Sequence, residues 1–281
     1  MKRPAVRPAL PAATIVGAAF LASLAAAQEP ARPAAAGDAT QDLAKQAQNP
    51  IADLISVPFQ NNTEFNFGPR ERTLNVLNFQ PVIPFKLSER WNLITRTIVP
   101  IIHLPSLEKG DSSDNGLGDV NPTFFFATSV AKDVLVGVGP TFSLPTATSD
   151  DLGTEKWSAG PAGVVVWTPG KWVVGALVNN QWSFAGANDR DDVNQMLIQP
   201  FVNYNIADGW YLVSAPIATA NWEADRSKDI WTVPVGGGVG RLFRLGKLPI
   251  NMSLQAFDYV EKPEFGADWE LRAQVQFLFP K

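Results

Sequence analysis

Residues 268–279 read DWELRAQVQFLF. In an extended chain Trp269, Leu271, Ala273, Val275, Phe277 and Phe279 fall on one face, and Glu270, Arg272, Gln274 and Gln276 on the other. A soluble edge strand this long, flat and apolar on one side is an aggregation site. A bilayer asks for that very division, apolar side chains toward hydrocarbon and polar ones toward a lumen, provided every backbone group is paired. The alternation therefore demands that the rest of the chain close a barrel.

The chain from residue 53 onward repeats the theme. Alternating runs occupy 55–67, 73–85, 91–103, 117–128, 134–144, 157–167, 172–182, 193–206, 210–222, 230–242, 250–260 and 268–279. The first carries Ile55, Val57, Phe59, Phe65 and Phe67 against Gln60, Asn62, Glu64 and Asn66. Gaps at 86–90, 129–133, 168–171, 207–209 and 243–249 are mostly short; those at 68–72, 104–116, 145–156, 185–192, 223–229 and 261–267 are mostly long. Short turns at one end and longer loops at the other are the asymmetry of an up-and-down antiparallel transmembrane β-barrel, with both termini on the periplasmic side. The fold expected is all-β, about twelve strands. Trp91, Trp172 and Trp210 open strands at short turns and predict a periplasmic girdle, while Trp157, Trp182, Trp222 and Trp231 predict an outer one. A soluble barrel or sandwich would put Lys and Glu on the polar strand faces; here those faces carry mostly Asn, Gln, Ser, Thr and Gly, with charge gathered in the loops.

Prolines resist this pattern, because each removes a ladder hydrogen bond. Pro81, Pro100, Pro122, Pro140, Pro161, Pro200, Pro216 and Pro234 lie inside the runs. Pro122, Pro140, Pro161, Pro200 and Pro216 stand at similar distances from the nearest short turn, which predicts a mid-height belt of bulges or bends.

The N-terminus divides differently. Lys2, Arg3 and Arg7 precede an apolar core at 12–24 and the small residues Ala25, Ala26 and Ala27, the pattern of a secretory signal peptide over 1–27. Residues 28–52 form a periplasmic lead-in, flexible over 28–37, with a short helix over 40–48 capped by Thr40 and carrying Asp42 in its first turn. The barrel itself spans 53–281. Without residues 1–27 the chain carries 20 Lys and Arg against 27 Asp and Glu, a net −7, which argues against nucleic acid as a partner. There is no Cys for a disulfide framework or thiolate metal site.

Candidate chemistry is sparse. His103, the single histidine, has Ser106 three residues on, but no G-x-S-x-G elbow accompanies them, and His103 reads as a girdle residue. No catalytic, cofactor or metal residue is assigned. Glu108, Asp111, Asp114, Asp150, Asp151, Glu155, Asp189, Asp191 and Asp192 make an acidic outer rim whose spacing matches no EF-hand loop. Parity turns Glu64, Arg96, Asp119, Asn121, Phe201, Tyr211, Gln255, Glu270, Arg272 and Gln274 into the lumen, and these are the candidate pathway residues. Arg96, Asp119, Glu64 and Arg272 are placed to pair across it, as bracing or as pathway. Twelve strands lie between a filled eight-stranded barrel and a sixteen-stranded water channel, so the lumen should be narrow or plugged.

Asn49-Pro50-Ile51-Ala52-Asp53-Leu54-Ile55-Ser56-Val57-Pro58-Phe59-Gln60-Asn61-Asn62, Gln80-Pro81-Val82-Ile83-Pro84, Trp91-Asn92-Leu93-Ile94-Thr95-Arg96-Thr97 and Gly116-Leu117-Gly118-Asp119 resemble segments of a widespread group of bacterial outer-membrane barrels. That group is labelled transporter, or MetA-pathway of phenol degradation, and, misleadingly, neuromedin U. The resemblance covers most of 49–279 and implies the outer membrane of a Gram-negative bacterium, lipid as surroundings and, by label, transport. It brings no catalytic residues. It also implies assembly by the barrel assembly machinery, which would read Phe279 as its terminal aromatic with Pro280 and Lys281 hanging free. The expected function is passage of small solutes, aromatic or amphiphilic; the alternative is a non-transporting envelope barrel with a filled lumen.

Overall fold

The alternation of the last strand is resolved by pairing at both its edges. In the computed structural model, which describes residues 34–280, β15 (Trp269–Phe279) pairs antiparallel with β1 (Ile55–Phe67) from Ile55 opposite Phe279 to Phe65 opposite Trp269. That contact joins the two ends of the sheet. Between them run β2 (Arg72–Phe79), β3 (Val82–Lys86), β4 (Asn92–Leu104), β5 (Asp114–Leu117), β6 (Asn121–Ala131), β7 (Val134–Ser143), β8 (Lys156–Trp167) and β9 (Trp172–Gly186). There follow β10 (Asn194–Asn205), β11 (Trp210–Ser214), β12 (Ala218–Asn221), β13 (Trp231–Leu245) and β14 (Leu248–Glu261). Three pairs of segments, β2 with β3, β5 with β6 and β11 with β12, are single crossings interrupted midway, so the fifteen segments make twelve crossings of a closed antiparallel barrel. Residues 1–27, the expected signal peptide, lie outside the described residues.

The turns sort as expected. At the end shared with the N- and C-terminal ends of the sheet, connections are as short as residues 132–133 and 246–247, the latter with Gly246 at φ +62°. The opposite end carries residues 105–113, 144–155, 187–193, 222–230 and 262–268, two of them with a 3-10 turn. The outward face is apolar and exposed, with Phe85, Val138, Val165, Leu212, Val235 and Leu254 among its members. Both girdles are present. Trp91, Trp172 and Trp210 are exposed beside the short turns, and Trp157, Trp182 and Trp222 near the long loops, with Trp222 edge-on to Trp231 at 5.6 Å. Trp269 stacks on Phe65 at 4.0 Å.

The five prolines of the expected belt do mark interruptions of pairing, but the register is the same on either side of each, so they are gaps and not bulges. Pro140 faces Pro161 and Pro200 faces Ala176 in unbroken register, and Pro122 sits opposite Thr97 in a continuous ladder. On their other side pairing lapses: β6–β7 pairs are missing beside Pro122 and Pro140, β8–β9 pairs beside Pro161, and Pro200 and Pro216 share the gap between Ile198–Ala218 and Val202–Ser214; Pro81 lies in a gap of its crossing and Pro234 at a register shift. The reason is positional: alternate residues of an antiparallel strand point their nitrogens to opposite neighbours, so in a closed ring a proline keeps the pairing on one edge and forfeits it on the other.

Two other expectations change. The helix α1 (Ala34–Gln48) begins earlier than Thr40, so neither Thr40 nor Asp42 sits in its first turn; Ala34, Ala35 and Ala36 extend it through their high helix propensity. At the outer end of β1, Asn66 takes φ +59° and the register slips between Glu64 and Phe67. The bulge turns Phe67 from its expected outward face to the lumen, where it lines the outer vestibule with Asn62 and Glu64.

The periplasmic mouth is occupied. Leu43 and Ala44 of α1 pack with Ala52, Leu54, Leu242 and Leu278. Ile51 enters the barrel among Val82, Ile94, Phe125, Val164 and Phe201. Gln48 and Asn205 exchange side-chain hydrogen bonds at 2.9 and 3.1 Å, pinning the end of α1 to β10.

Candidate functional site

The lumen above this plug is a series of cavities that share walls. An inner chamber of about 150 Å³ lies against residues 46–54 and is lined also by Gln60, Gln80, Arg96, Leu177 and Gln199. The same five residues line a middle chamber of about 260 Å³. Ile217 and Thr219 then separate the middle chamber from an outer vestibule of about 520 Å³, and Gln195 separates it from a recess of about 470 Å³ under residues 189–193. The chambers thus lie in a file from the long loops down to α1, divided by the walls they share.

Most of the expected pathway residues stand along it. Phe201, Tyr211, Gln255 and Gln274 line the inner chamber, Asn121 the middle one, and Glu64, Glu270 and Arg272 the vestibule; Arg96 faces both chambers. Asp119 is the exception. It is buried, but its Oδ1 accepts from the Thr146 and Ala147 backbone N–H groups and its Oδ2 from the Thr154 N–H and hydroxyl. It therefore ties down the loop 144–155 rather than meeting Arg96 across the lumen. Strand parity could not separate a lumen position from one under a folded-in loop.

The other ionic partners differ as well. Arg272 pairs with Glu270 two residues away, Nε to Oε1 at 2.9 Å, both almost fully buried. Its Nε also lies 3.2 Å from Asn62 Oδ1, and its guanidinium stacks over Phe257 at 4.6 Å. Tyr259 donates to Glu270 Oε2 at 3.0 Å. A further bond explains how the barrel tolerates Pro216. The gap between β11 and β12 frees the backbone of Ala215; Arg272 Nη1 donates to the Ala215 carbonyl at 2.7 Å, and the Ala215 N–H donates to Gln255 Oε1 at 3.2 Å. At membrane depth no water replaces lost ladder bonds, so side chains from β14 and β15 do.

Gln80, Gln199, Gln181 and Tyr259 were not singled out from the sequence, although parity opposite to that of Leu77 and Phe79 places Gln80 inward. Gln181 donates to Thr141, which shares a hydrogen bond with Thr123 at 2.8 Å, so the middle chamber is ringed by amides and hydroxyls. On the outer surface, Asn61, Asn75 and Thr63 bond one another, and His103 Nδ1 meets Asn115 Oδ1 at 2.6 Å. Ser106 accepts instead from Arg70 at 2.6 Å, so His103 and Ser106 have separate partners.

At the rim, Asp229, Glu264, Asp268 and, from the expected acidic set, Asp192 are paired with cations. Arg226 bonds Asp229 and Glu264, both at 2.5 Å, Lys228 reaches Glu264 at 3.2 Å, and Lys262 binds Asp268. Asp192 meets Lys156 at 3.1 Å, and that hydrogen bond holds its carboxyl below the ordinary range. Asp229 is lowered chiefly by the Glu264 backbone N–H, and Glu264 by Arg226.

A closed ring of twelve crossings, with an apolar exterior between two aromatic girdles and a polar, cavity-bearing interior, defines a transmembrane β-barrel of outer-membrane type. Among solved structures, an outer membrane channel from Pseudomonas putida F1 superposes with a TM-score of 0.60 over 80% of this chain and 93% of its own, at 18% identity. The NanC porin does so with a TM-score of 0.52 over 81% of this chain and 100% of its own, at 10% identity. No protein-family model and no curated protein sequence matches the chain. Its twelve crossings are the number that the alternating runs predicted.

Proposed function

We propose that this barrel passes small aromatic or amphiphilic solutes through a narrow lumen across the outer membrane of a Gram-negative bacterium, after export on a cleaved signal peptide. The observation that carries this reading is the file of wall-sharing cavities from the outer vestibule to α1. Its walls are mixed. Leu177, Phe201 and Leu197 offer apolar surface while Gln60, Gln80 and Gln199 offer amides, a lining matched to solutes with one polar end. The structural likeness to an outer membrane channel and to a porin supports passage in general and names no solute for this chain. The test is reconstitution into liposomes with uptake of a small aromatic solute and single-channel recording. A barrel impermeable to ions and to aromatic solutes alike would end this reading.

A second reading has its own support. The apolar cluster around Ile51 and the packing of α1 on Leu242 and Leu278 fill the periplasmic mouth, as a non-transporting envelope barrel would require. Removing residues 28–48 separates the two: a gated pathway gains conductance, whereas a filled barrel does not.

A further inference from the structure

Among the described residues that line the inner and middle chambers, Arg96 is the one that carries a charge. It stands where the two chambers meet, because it lines both. Its Nη2 donates to Gln80 Oε1 at 2.8 Å, its one hydrogen bond among the described residues. The cations in ion pairs are Lys156, Arg226, Lys228, Lys262 and Arg272, so Arg96 has no carboxylate partner among the described residues. A guanidinium carries five N–H donors in a planar fork suited to a carboxylate, and here most of that fork is unused.

The contrast with Arg272 is informative. That side chain has every need met within the protein: a carboxylate, an amide, a backbone carbonyl and an aromatic face. An arginine serving only as wall bracing is satisfied in this way. A cation left within membrane depth, facing two cavities and opposed only by neutral amides, has instead a standing electrostatic demand for an anion. One cation in the chambers suits a single negative charge better than a doubly charged phosphate. Beside it, Leu177, Phe201, Leu197, Ile98 and Met196 supply an apolar wall for a small hydrocarbon or aromatic body.

We propose that Arg96 is the anion-recognition point of the lumen and takes the carboxylate of a small monoanionic organic acid whose apolar body lies along the Leu177–Phe201 wall. This rests on the reading that the barrel passes small amphiphilic solutes, and narrows that class to acids. Of the four carboxylates of the vestibule, Glu270 is paired with Arg272, and Asp229 and Glu264 with Arg226; the fourth, Glu64, lines the vestibule and neither of the two chambers that Arg96 faces.

The test uses the full mature chain in detergent micelles, with ¹⁹F NMR line broadening of three probes of one shape: 4-fluorobenzoate, neutral 4-fluorobenzamide and cationic 4-fluorobenzylamine. The wild type should bind the acid at least about tenfold more tightly than the amide, the amine being weakest. Arg96→Gln should weaken the acid by about tenfold to a hundredfold, the range of a charge-assisted hydrogen bond, and leave the amide unchanged; Arg96→Lys should keep part of the preference. Equal binding of acid and amide by the wild type overturns the proposal, and this comparison stands even where a variant does not fold. Acid binding indifferent to Arg96→Gln in a folded barrel overturns it too. Liposome uptake of benzoate is read separately. Binding that depends on Arg96 without uptake upholds the site and refutes passage; uptake without that dependence refutes the site and leaves passage standing.

Discussion

Replacing Arg272 by Met removes a buried cation from a position where three groups depend on it. Glu270, 3% exposed, would keep its charge with only Tyr259 as a donor, and the Ala215 carbonyl would lose the bond that covers the Pro216 gap. Stranding one member of a buried ion pair costs about 3–5 kcal/mol, and an orphaned buried carbonyl about 1–3 kcal/mol, with the two effects overlapping at one site. Arg272→Met should therefore destabilise the barrel by at least about 3 kcal/mol. Adding Glu270→Gln removes the stranded charge while keeping an acceptor for Tyr259. The double variant should recover to within the 1–3 kcal/mol, roughly, of the uncovered carbonyl. Equilibrium urea unfolding in phospholipid vesicles, followed by tryptophan fluorescence, measures both. The reasoning is refuted by an Arg272→Met barrel within about 1 kcal/mol of the wild type, or by a double variant no more stable than the single one.

Three further outcomes follow from other parts of the structure. Ile51→Asp sets an unpaired carboxylate into an apolar cluster, costing more than the roughly 2–3 kcal/mol that burying Ile51 contributes, so residues 49–54 should leave the mouth and single-channel conductance should rise; unchanged conductance would show the plug to be irrelevant. Asp229 and Glu264 have lowered carboxyl pKa values in the folded loops, so their ion pairs with Arg226 contribute above the ordinary carboxylate range and are lost as pH falls through the lowered values. Hydrogen exchange of loops 222–230 and 262–268, corrected for intrinsic rates, should accelerate at that acid end and not between pH 6 and 8, values chosen to lie well above any carboxyl titration. Phe279→Ala removes the exposed terminal aromatic opposite Ile55 and should lower the yield of assembled barrel in outer-membrane fractions; an undiminished yield would mean that the assembly machinery reads another residue.

The barrel was legible because period-two alternation survives any amount of local irregularity: each strand states which face is apolar, and turn lengths state which end is which. Parity alone put Gln255, Tyr211, Phe201 and Arg272 on the correct side of the wall. It could not say what each would meet there, since cross-lumen neighbours depend on tilt and register accumulated around the ring. Hence Asp119, equally inward by parity, is spent on the loop 144–155, and Arg96 finds Gln80 instead of a carboxylate. The prolines were legible as interruptions, but not in kind, for a related reason. Which of its two ladders Pro140 interrupts depends on which neighbour its nitrogen faces, and only pairing decides that. The plug at Ile51 was hidden because its segment is short, aperiodic and apolar by only a few residues.

The repaired gap at Pro216 has a consequence for how the wall comes into being. Backbone groups of the ninth crossing are completed by Gln255 and Arg272, which belong to the eleventh and twelfth and reach them through the interior, past the neighbouring strand. A barrel made only of ladder bonds could be finished hairpin by hairpin, each strand secured as soon as the next one docks. Here the ninth crossing stays incomplete at mid-depth until the last strand has arrived. Closure of the seam between β1 and β15 and completion of the wall at Ala215 are thus a single event, so a chain truncated before residue 268 lacks more than its final strand: it retains an open defect three strands away.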